Sequence, residues 1–106
     1  MIRIISGSRK GRKITAPSSL PVRPTTDFAK EGLFNVLVNK IDFEEVKFLD
    51  LFAGTGNISY EMASRGCKNI TCVDSDSRCL KFIMETSTLL EFAKFKTIRA
   101  DAFSFI

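Results

Sequence analysis

Three acids stand at the ends of short apolar runs along this chain: Asp50, Asp74 and Asp101. The first opens Asp50-Leu51-Phe52-Ala53-Gly54-Thr55-Gly56, which follows Val46-Lys47-Phe48-Leu49 and leads into helical spacing from Asn57 to Arg65. Strand, glycine turn and helix start, in that order, are the layout of a nucleotide-type cofactor site. Gly54 and Gly56 let the backbone approach a ligand closely, and the helix start beyond them offers unpaired N–H groups to an anion. A dinucleotide fingerprint would place a third glycine at position 59, where Ser59 stands. The Asp50 carboxylate would also repel a pyrophosphate, whereas an ammonium group would suit it. S-adenosylmethionine carries an ammonium, a carboxylate and a sulphonium but no phosphate, so it satisfies both the acid and the glycine turn.

The other two acids extend the site. Asn69-Ile70-Thr71-Cys72-Val73-Asp74 reads as a short buried strand, and an acid at the tip of the next strand of a βαβ unit can accept both ribose hydroxyls. Thr97-Ile98-Arg99-Ala100-Asp101 repeats the pattern, with Asp101 placed to accept from the adenine 6-amino group. Phe52, Thr55, Ser75, Ala102 and Phe103 flank these positions and complete the expected cofactor contacts. Each feature also has a plainer role open to it. A glycine turn can be a tight connection, and an acid after a strand often caps the next helix, as Asp76 is expected to do. Three acids in register carry the argument further than any one of them.

The loop, Val73-Asp74-Ser75-Asp76 and Asp101-Ala102-Phe103 resemble the first three motifs of class I methyltransferases. The front of the chain narrows the resemblance through Arg3-Ile4-Ile5-Ser6-Gly7, Lys10-Gly11-Arg12-Lys13-Ile14, Arg23-Pro24-Thr25-Thr26-Asp27 and Lys30-Glu31-Gly32-Leu33-Phe34-Asn35. Together these resemble the bacterial RsmD family, which implies S-adenosylmethionine-dependent methylation of the exocyclic N2 of a guanine in 16S ribosomal RNA. It also implies an α/β, Rossmann-like sheet, here truncated to about three parallel strands in the order 3-2-1 and preceded by a basic β-hairpin.

One part of the family pattern is missing. Its members carry an Asn-Pro-Pro-Tyr type motif after the fourth strand, whereas the three prolines here are Pro17, Pro21 and Pro24, all upstream of the glycine loop. The expectation is a cofactor half without the catalytic half, inactive alone, for which no catalytic residue is assigned. With the first strand at an edge, such a sheet is expected to be marginally stable and to self-associate. Two other classes stay open: a Rossmann-type NAD-dependent oxidoreductase, weakened by Ser59 and Asp50, and a non-catalytic RNA-binding module.

Charge divides the chain. Residues 1–40 hold eight Lys or Arg against two acids, a net of +6, while residues 41–106 hold eight against ten, a net of −2. Arg3, Arg9, Lys10, Arg12, Lys13 and Arg23 supply most of the front, where Ile2 to Ser6 and Arg12 to Ala16 read as a hairpin about a turn from Gly7 to Gly11. A basic hairpin can lie along phosphates, and with the resemblance these six are the expected RNA contacts. Residues 1–24 are thus read as an arm and 25–106 as the methyltransferase part. Cys67, Cys72 and Cys79 form no Cys-x-x-Cys pair and there is no histidine, so neither a metal site nor a Ser-His-Asp arrangement is expected. The N-terminus lacks a signal-type apolar region and no stretch reaches the ~20 apolar residues of a membrane span, so the expected location is cytoplasmic.

Periodicity supplies the remaining elements. Thr26 is expected to cap a helix whose Leu33, Phe34, Leu37 and Ile41 share one face, with Gly32 packed closely against a neighbour. Ile58 and Met62 mark the buried side of the helix after the glycine loop, and Gly66 its C-terminal cap. From Ser77 to Phe92 a third helix is expected to bury Leu80, Ile83, Met84, Ser87 and Leu90.

Overall fold

A computed structural model describes residues 2–20, 25–92 and 95–105; the expected RNA contact Arg23 lies outside the described residues. The chain runs β1 (Ile2–Arg3), β2 (Lys13–Ile14), α1 (Asp27–Leu37), β3 (Lys47–Asp50), α2 (Asn57–Ser64), β4 (Asn69–Asp74), α3 (Ser77–Leu89), β5 (Lys96–Arg99) and α4 (Ala102–Phe105). β1 and β2 pair antiparallel with Ile2 opposite Ile14, a shorter hairpin than expected. The other strands form a parallel sheet in the order β3-β4-β5, the 3-2-1 arrangement, and the outer edge of β3 pairs with no described strand. β4 takes the centre because its run of Ile70, Cys72 and Val73 tolerates burial on both faces.

Register decides where the acids fall. Asp50 lies opposite Cys72 and Asp74 opposite Arg99. The first two acids end their strands as expected, but β5 ends at Arg99, and Asp101 sits two residues beyond it. There it caps α4, its Oδ1 accepting from the Phe103 N–H at 2.9 Å. The helix starts at Thr26 and Asp76 are capped as expected, each side chain accepting an N–H from its own first turn.

Helical faces follow the 3.6-residue period with two corrections. Phe34 and Ile83 are fully buried, but the expected core residues Leu33 and Met84 are 44% and 38% exposed. Each directly adjoins the buried residue of its stripe and so is turned about 100° away from it. Gly32 is also corrected: a Cβ there would meet nothing within 4 Å among the described residues, so none of these neighbours requires the glycine. Gly66, with φ +116°, follows the C-cap of α2 as expected.

α2 is the most enclosed helix because the hairpin crosses it. Besides Met62 it buries Asn57, Ser59, Tyr60, Glu61 and Ser64, while Ile58 is half-buried. The arm contributes Ile2, Ile4 and Ile14 to the same core. Its closest approach is at Gly7, φ +87°, where any Cβ would stand 1.9 Å from the Ser64 carbonyl oxygen. Ser8 N donates to that same oxygen at 2.7 Å.

Beneath this crossing lies a buried polar knot. Glu61 and Lys30 both have fully buried side chains and pair at 3.1 Å. Glu61 also accepts from the Ile5 and Ser6 N–H groups at 2.8 and 3.0 Å and from Arg65 Nε at 2.8 Å. The Lys30 ammonium donates to Glu61, to the Arg3 carbonyl at 2.9 Å and to Asn57 Oδ1 at 2.8 Å. Its three N–H groups therefore each have a partner, which buried charge requires. The Arg65 guanidinium in turn lies 4.7 Å from the Phe34 ring centroid. Burial pushes the Glu61 carboxyl upward, but the Ile5 N–H, Arg65 and Lys30 outweigh it and hold the acid below its ordinary value.

Two outcomes test this packing. Gly32→Ala is expected to stabilise the chain by up to about 1 kcal/mol in chemical denaturation, by removing backbone freedom from the unfolded state; a loss would mean that this helix face is not open. Because folding lowers the Glu61 pKa, its contribution is complete above the unfolded value of about 4.3 and is lost as pH falls through the lower folded value. Melting temperature should therefore drop steeply below about pH 4. Glu61→Gln should melt lower at neutral pH with a shallower acid limb.

Candidate cofactor site

A cleft of about 510 Å³ opens at the carboxyl edge of the sheet, lined by Thr25, Asp50, Phe52, Ala53, Gly54, Thr55, Asn57, Ile58, Asp74, Ser75 and Asp76. A second recess of about 290 Å³ adjoins it and is lined by Leu51, Phe52, Asp74, Ser75, Ala100, Asp101, Ala102 and Phe103. The two share Phe52, Asp74 and Ser75. Every expected cofactor contact except Gly56 lines one or both.

Asp74 is the hub of this edge. Its Oδ2 accepts the Gly54 N–H and its Oδ1 the Asp76 N–H, both at 2.9 Å. Its carbonyl accepts the Ala100 N–H at 3.1 Å. One residue thus ties together the loops after all three parallel strands. A carboxylate offers about four lone-pair sites, so each oxygen still has room for a ligand hydroxyl.

Asp50 is fixed from behind. Ser59 Oγ donates to its Oδ2 at 2.8 Å, and the Cys72 thiol donates to Ser59 Oγ at 3.3 Å. The residue that replaces the third glycine therefore orients the first acid. Burial raises the Asp50 carboxyl above its usual value, Ser59 and the Phe52 N–H oppose the shift, and the Asp74 carboxylate adds to it. Burial also pushes the Cys72 thiol up to about 12, so it stays protonated as a donor. A cation placed between Asp50 and Asp74 relieves both the repulsion and the penalty on the ionised acid.

The start of α2 differs from the other described helix starts. α1, α3 and α4 are capped by the side chains of Thr26, Asp76 and Asp101, but α2 begins at Gly56 with no side-chain cap. Gly56 holds φ +86°, and a Cβ there would lie 2.7 Å from the buried Tyr60 ring. Its part is to make the turn rather than to line the cleft. The first N–H groups of α2 therefore face the cleft unpaired by their own cap, which is where a helix accepts an anion.

Above the two recesses, Phe52 and Phe103 are 71% and 80% exposed and meet edge to face with centroids 6.0 Å apart. They wall the recess in which Asp101 lies. Thr25, Asn57, Ile58 and Asp76 also line the cleft, and none was among the expected contacts. Asn57 and Ile58 directly follow the turn in sequence and Thr25 reaches it only through folding, while Asp76 is held at the rim by Arg78, which keeps its carboxyl down at about 2.

The arm's cations divide by role. Arg9 is committed to the fold: Nε donates to the Leu90 carbonyl at 2.5 Å, a terminal nitrogen donates to the Glu91 carbonyl at 3.1 Å, and the guanidinium lies 5.6 Å from the Phe92 ring centroid. It closes the C-terminus of α3. Arg3 pairs with Asp27 at 3.4 Å. Lys10, Arg12 and Lys13 are exposed and form no ion pair among the described residues.

A parallel α/β sheet with a glycine turn and strand-end acids along its carboxyl edge defines a Rossmann-like domain. A family model described as Conserved hypothetical protein 95 matches residues 2–106, and the chain belongs to that family. Ribosomal RNA small subunit methyltransferase D of Escherichia coli (strain K12) is 34% identical over 105 residues, 99% of this chain and 52% of that protein. The protein of the same name from Haemophilus influenzae (strain ATCC 51907 / DSM 11121 / KW20 / Rd) is 43% identical over 75 residues, 71% of this chain and 38% of that protein. The solved yhhF protein from Escherichia coli aligns with a TM-score of 0.83 and 31% identity over 98% of this chain and 55% of that one. The resemblance to the RsmD family read from the motifs is thereby shown, and the relatives are named methyltransferases. The chain spans about half the length of the curated relatives it matches.

Gly56→Ala tests the turn. It forces an L side chain into the left-handed region and against Tyr60, and is expected to cost roughly 2 kcal/mol or more in denaturant unfolding; an unchanged midpoint would mean that the loop adopts another path.

Proposed function

We propose that this chain is the cofactor-binding half of an S-adenosylmethionine-dependent enzyme that methylates the exocyclic N2 of a guanine in 16S ribosomal RNA, in the cytoplasm. The observation that carries the reading is the charge layout of one cleft: two strand-end carboxylates beside an uncapped helix start. That layout suits a ligand with an ammonium, a carboxylate and a ribose, and it disfavours a pyrophosphate. When bound, S-adenosylmethionine supplies a methyl group already activated on a sulphonium, so neither metal nor histidine is needed for the transfer.

The chain's own residues hold and orient. Asp50, aimed by Ser59, takes the ammonium. Asp74 accepts the ribose hydroxyls with the lone pairs its backbone donors leave over, and Gly54 and Ser75 shape the floor beneath them. Asp101 retains Oδ2 for the adenine amino group, while Phe52, Ala102 and Phe103 flank the base. Lys10, Arg12 and Lys13 lie along RNA phosphates, and the arm of residues 1–24 presents them from a surface anchored on α2. No residue of this chain is assigned to the guanine amine.

Calorimetric titration of the purified chain tests the reading, with NADH as the parallel ligand. Saturable binding of S-adenosylmethionine without NADH binding is expected, weakened at least about tenfold in Asp74→Ala through loss of charged hydrogen bonds. Preference for NADH would move the chain to the oxidoreductases. Binding of RNA with affinity for neither cofactor would make it a non-catalytic RNA-binding module.

A further inference from the structure

Lys30 stands where helix electrostatics alone would not put it. Its ammonium is fully buried and donates to Asn57, the first residue of α2, so a positive charge lies behind the positive end of that helix dipole. Such placement opposes the macrodipole, whereas Arg65, at the far end of the same helix, complements it. Glu61 pairs with both the fully buried Lys30 and the partly exposed Arg65, so the three groups together carry one net positive charge. An anion at the start of α2 would offset both the dipole and that charge.

Asn57 links the charge to the cleft. Its Oδ1 is held by Lys30 at 2.8 Å and its Nδ2 donates to the Thr25 carbonyl at 2.9 Å, so both polar ends of the side chain are committed. Asn57 and Thr25 both line the cleft. The amide is thereby fixed as a strut between two walls and cannot swing round to compete for the N–H groups beside it.

We propose that Lys30 is a positioning residue for the ligand's carboxylate: acting through Asn57, it fixes the first turn of α2 and supplies the buried positive charge behind it. This rests on the S-adenosylmethionine reading and adds to it the pole of the ligand that the arm-side network serves. The charge is indirect, since Lys30 has no exposed surface with which to touch a ligand.

The test compares S-adenosylmethionine with its decarboxylated form, which keeps the adenosine, sulphonium and amine but lacks the carboxylate. The unsubstituted chain should prefer the former by at least about tenfold, the worth of a charged hydrogen bond. Lys30→Met should collapse that ratio toward one while leaving affinity for the decarboxylated ligand nearly unchanged, and Lys30→Arg should restore it. Equal loss of both ligands in Lys30→Met, or an undiminished ratio, would overturn the proposal, because a merely structural residue moves both affinities alike. If Lys30→Met does not fold, Asn57→Ala makes the comparison for the strut with the Lys30–Glu61 pair intact, and an undiminished ratio there would overturn the action of Lys30 through Asn57. Absence of binding by either ligand to the unsubstituted chain would instead remove the cofactor reading itself.

Discussion

The Glu61 carboxylate is the constraint on which the rest of the molecule depends. Four donors from three parts of the chain converge on it: the Ile5 and Ser6 N–H groups, Lys30 and Arg65. A buried charge is tolerable only when such partners surround it, and losing one leaves an uncompensated ion in a low-dielectric core. The arm, α1 and α2 are therefore tied to one geometry. Apolar burial of Ile2, Ile4 and Phe34 holds these elements together without direction, whereas the ion pair sets how they sit.

That geometry reaches the cleft through two short routes. Lys30 and Asn57 connect the knot to the first turn of α2. Asp50, Ser59 and Cys72 brace the sheet side of the same helix. Between them Asp74 gathers the loops, so the carboxyl edge is organised by backbone donors before any ligand arrives. Preorganisation of this kind reduces the ordering cost of binding.

Arm and sheet share one core, and the division of labour among the arm's cations follows from it. Arg9 holds the Leu90 and Glu91 carbonyls just past α3 and the Phe92 ring, which secures the hairpin against the end of the helix. Lys10, Arg12 and Lys13 are left to solvent on a rigid base. The outer edge of β3 pairs with no strand among the described residues, the condition under which the sequence leads one to expect self-association.

Local signals were enough for the elements and the site's outline. Glycine at 54 and 56 after an apolar run, and acids at 50 and 74, mark strand ends and a turn whatever the rest of the chain does, because backbone stereochemistry and strand length are short-range properties. Thr26 and Asp76 announce helix starts for the same reason. The 3.6-residue period located Phe34 and Ile83 but misjudged Leu33 and Met84, since hydrophobicity alone does not say where an apolar stripe stops. Lys30 shares the stripe of Phe34, four residues on, which was a signal of burial; its charge concealed it because the compensating partner, Glu61, is distant in sequence. Strand register likewise took Asp101 off the end of β5 and made it a cap, and the arm's path gave Arg9 carbonyl and ring partners that spacing did not announce. Residue type and spacing determined which groups stand at the strand ends and in the glycine turn. Only the tertiary structure decided which charges are paired, buried or free, because electrostatic partnership depends on distances that folding alone creates.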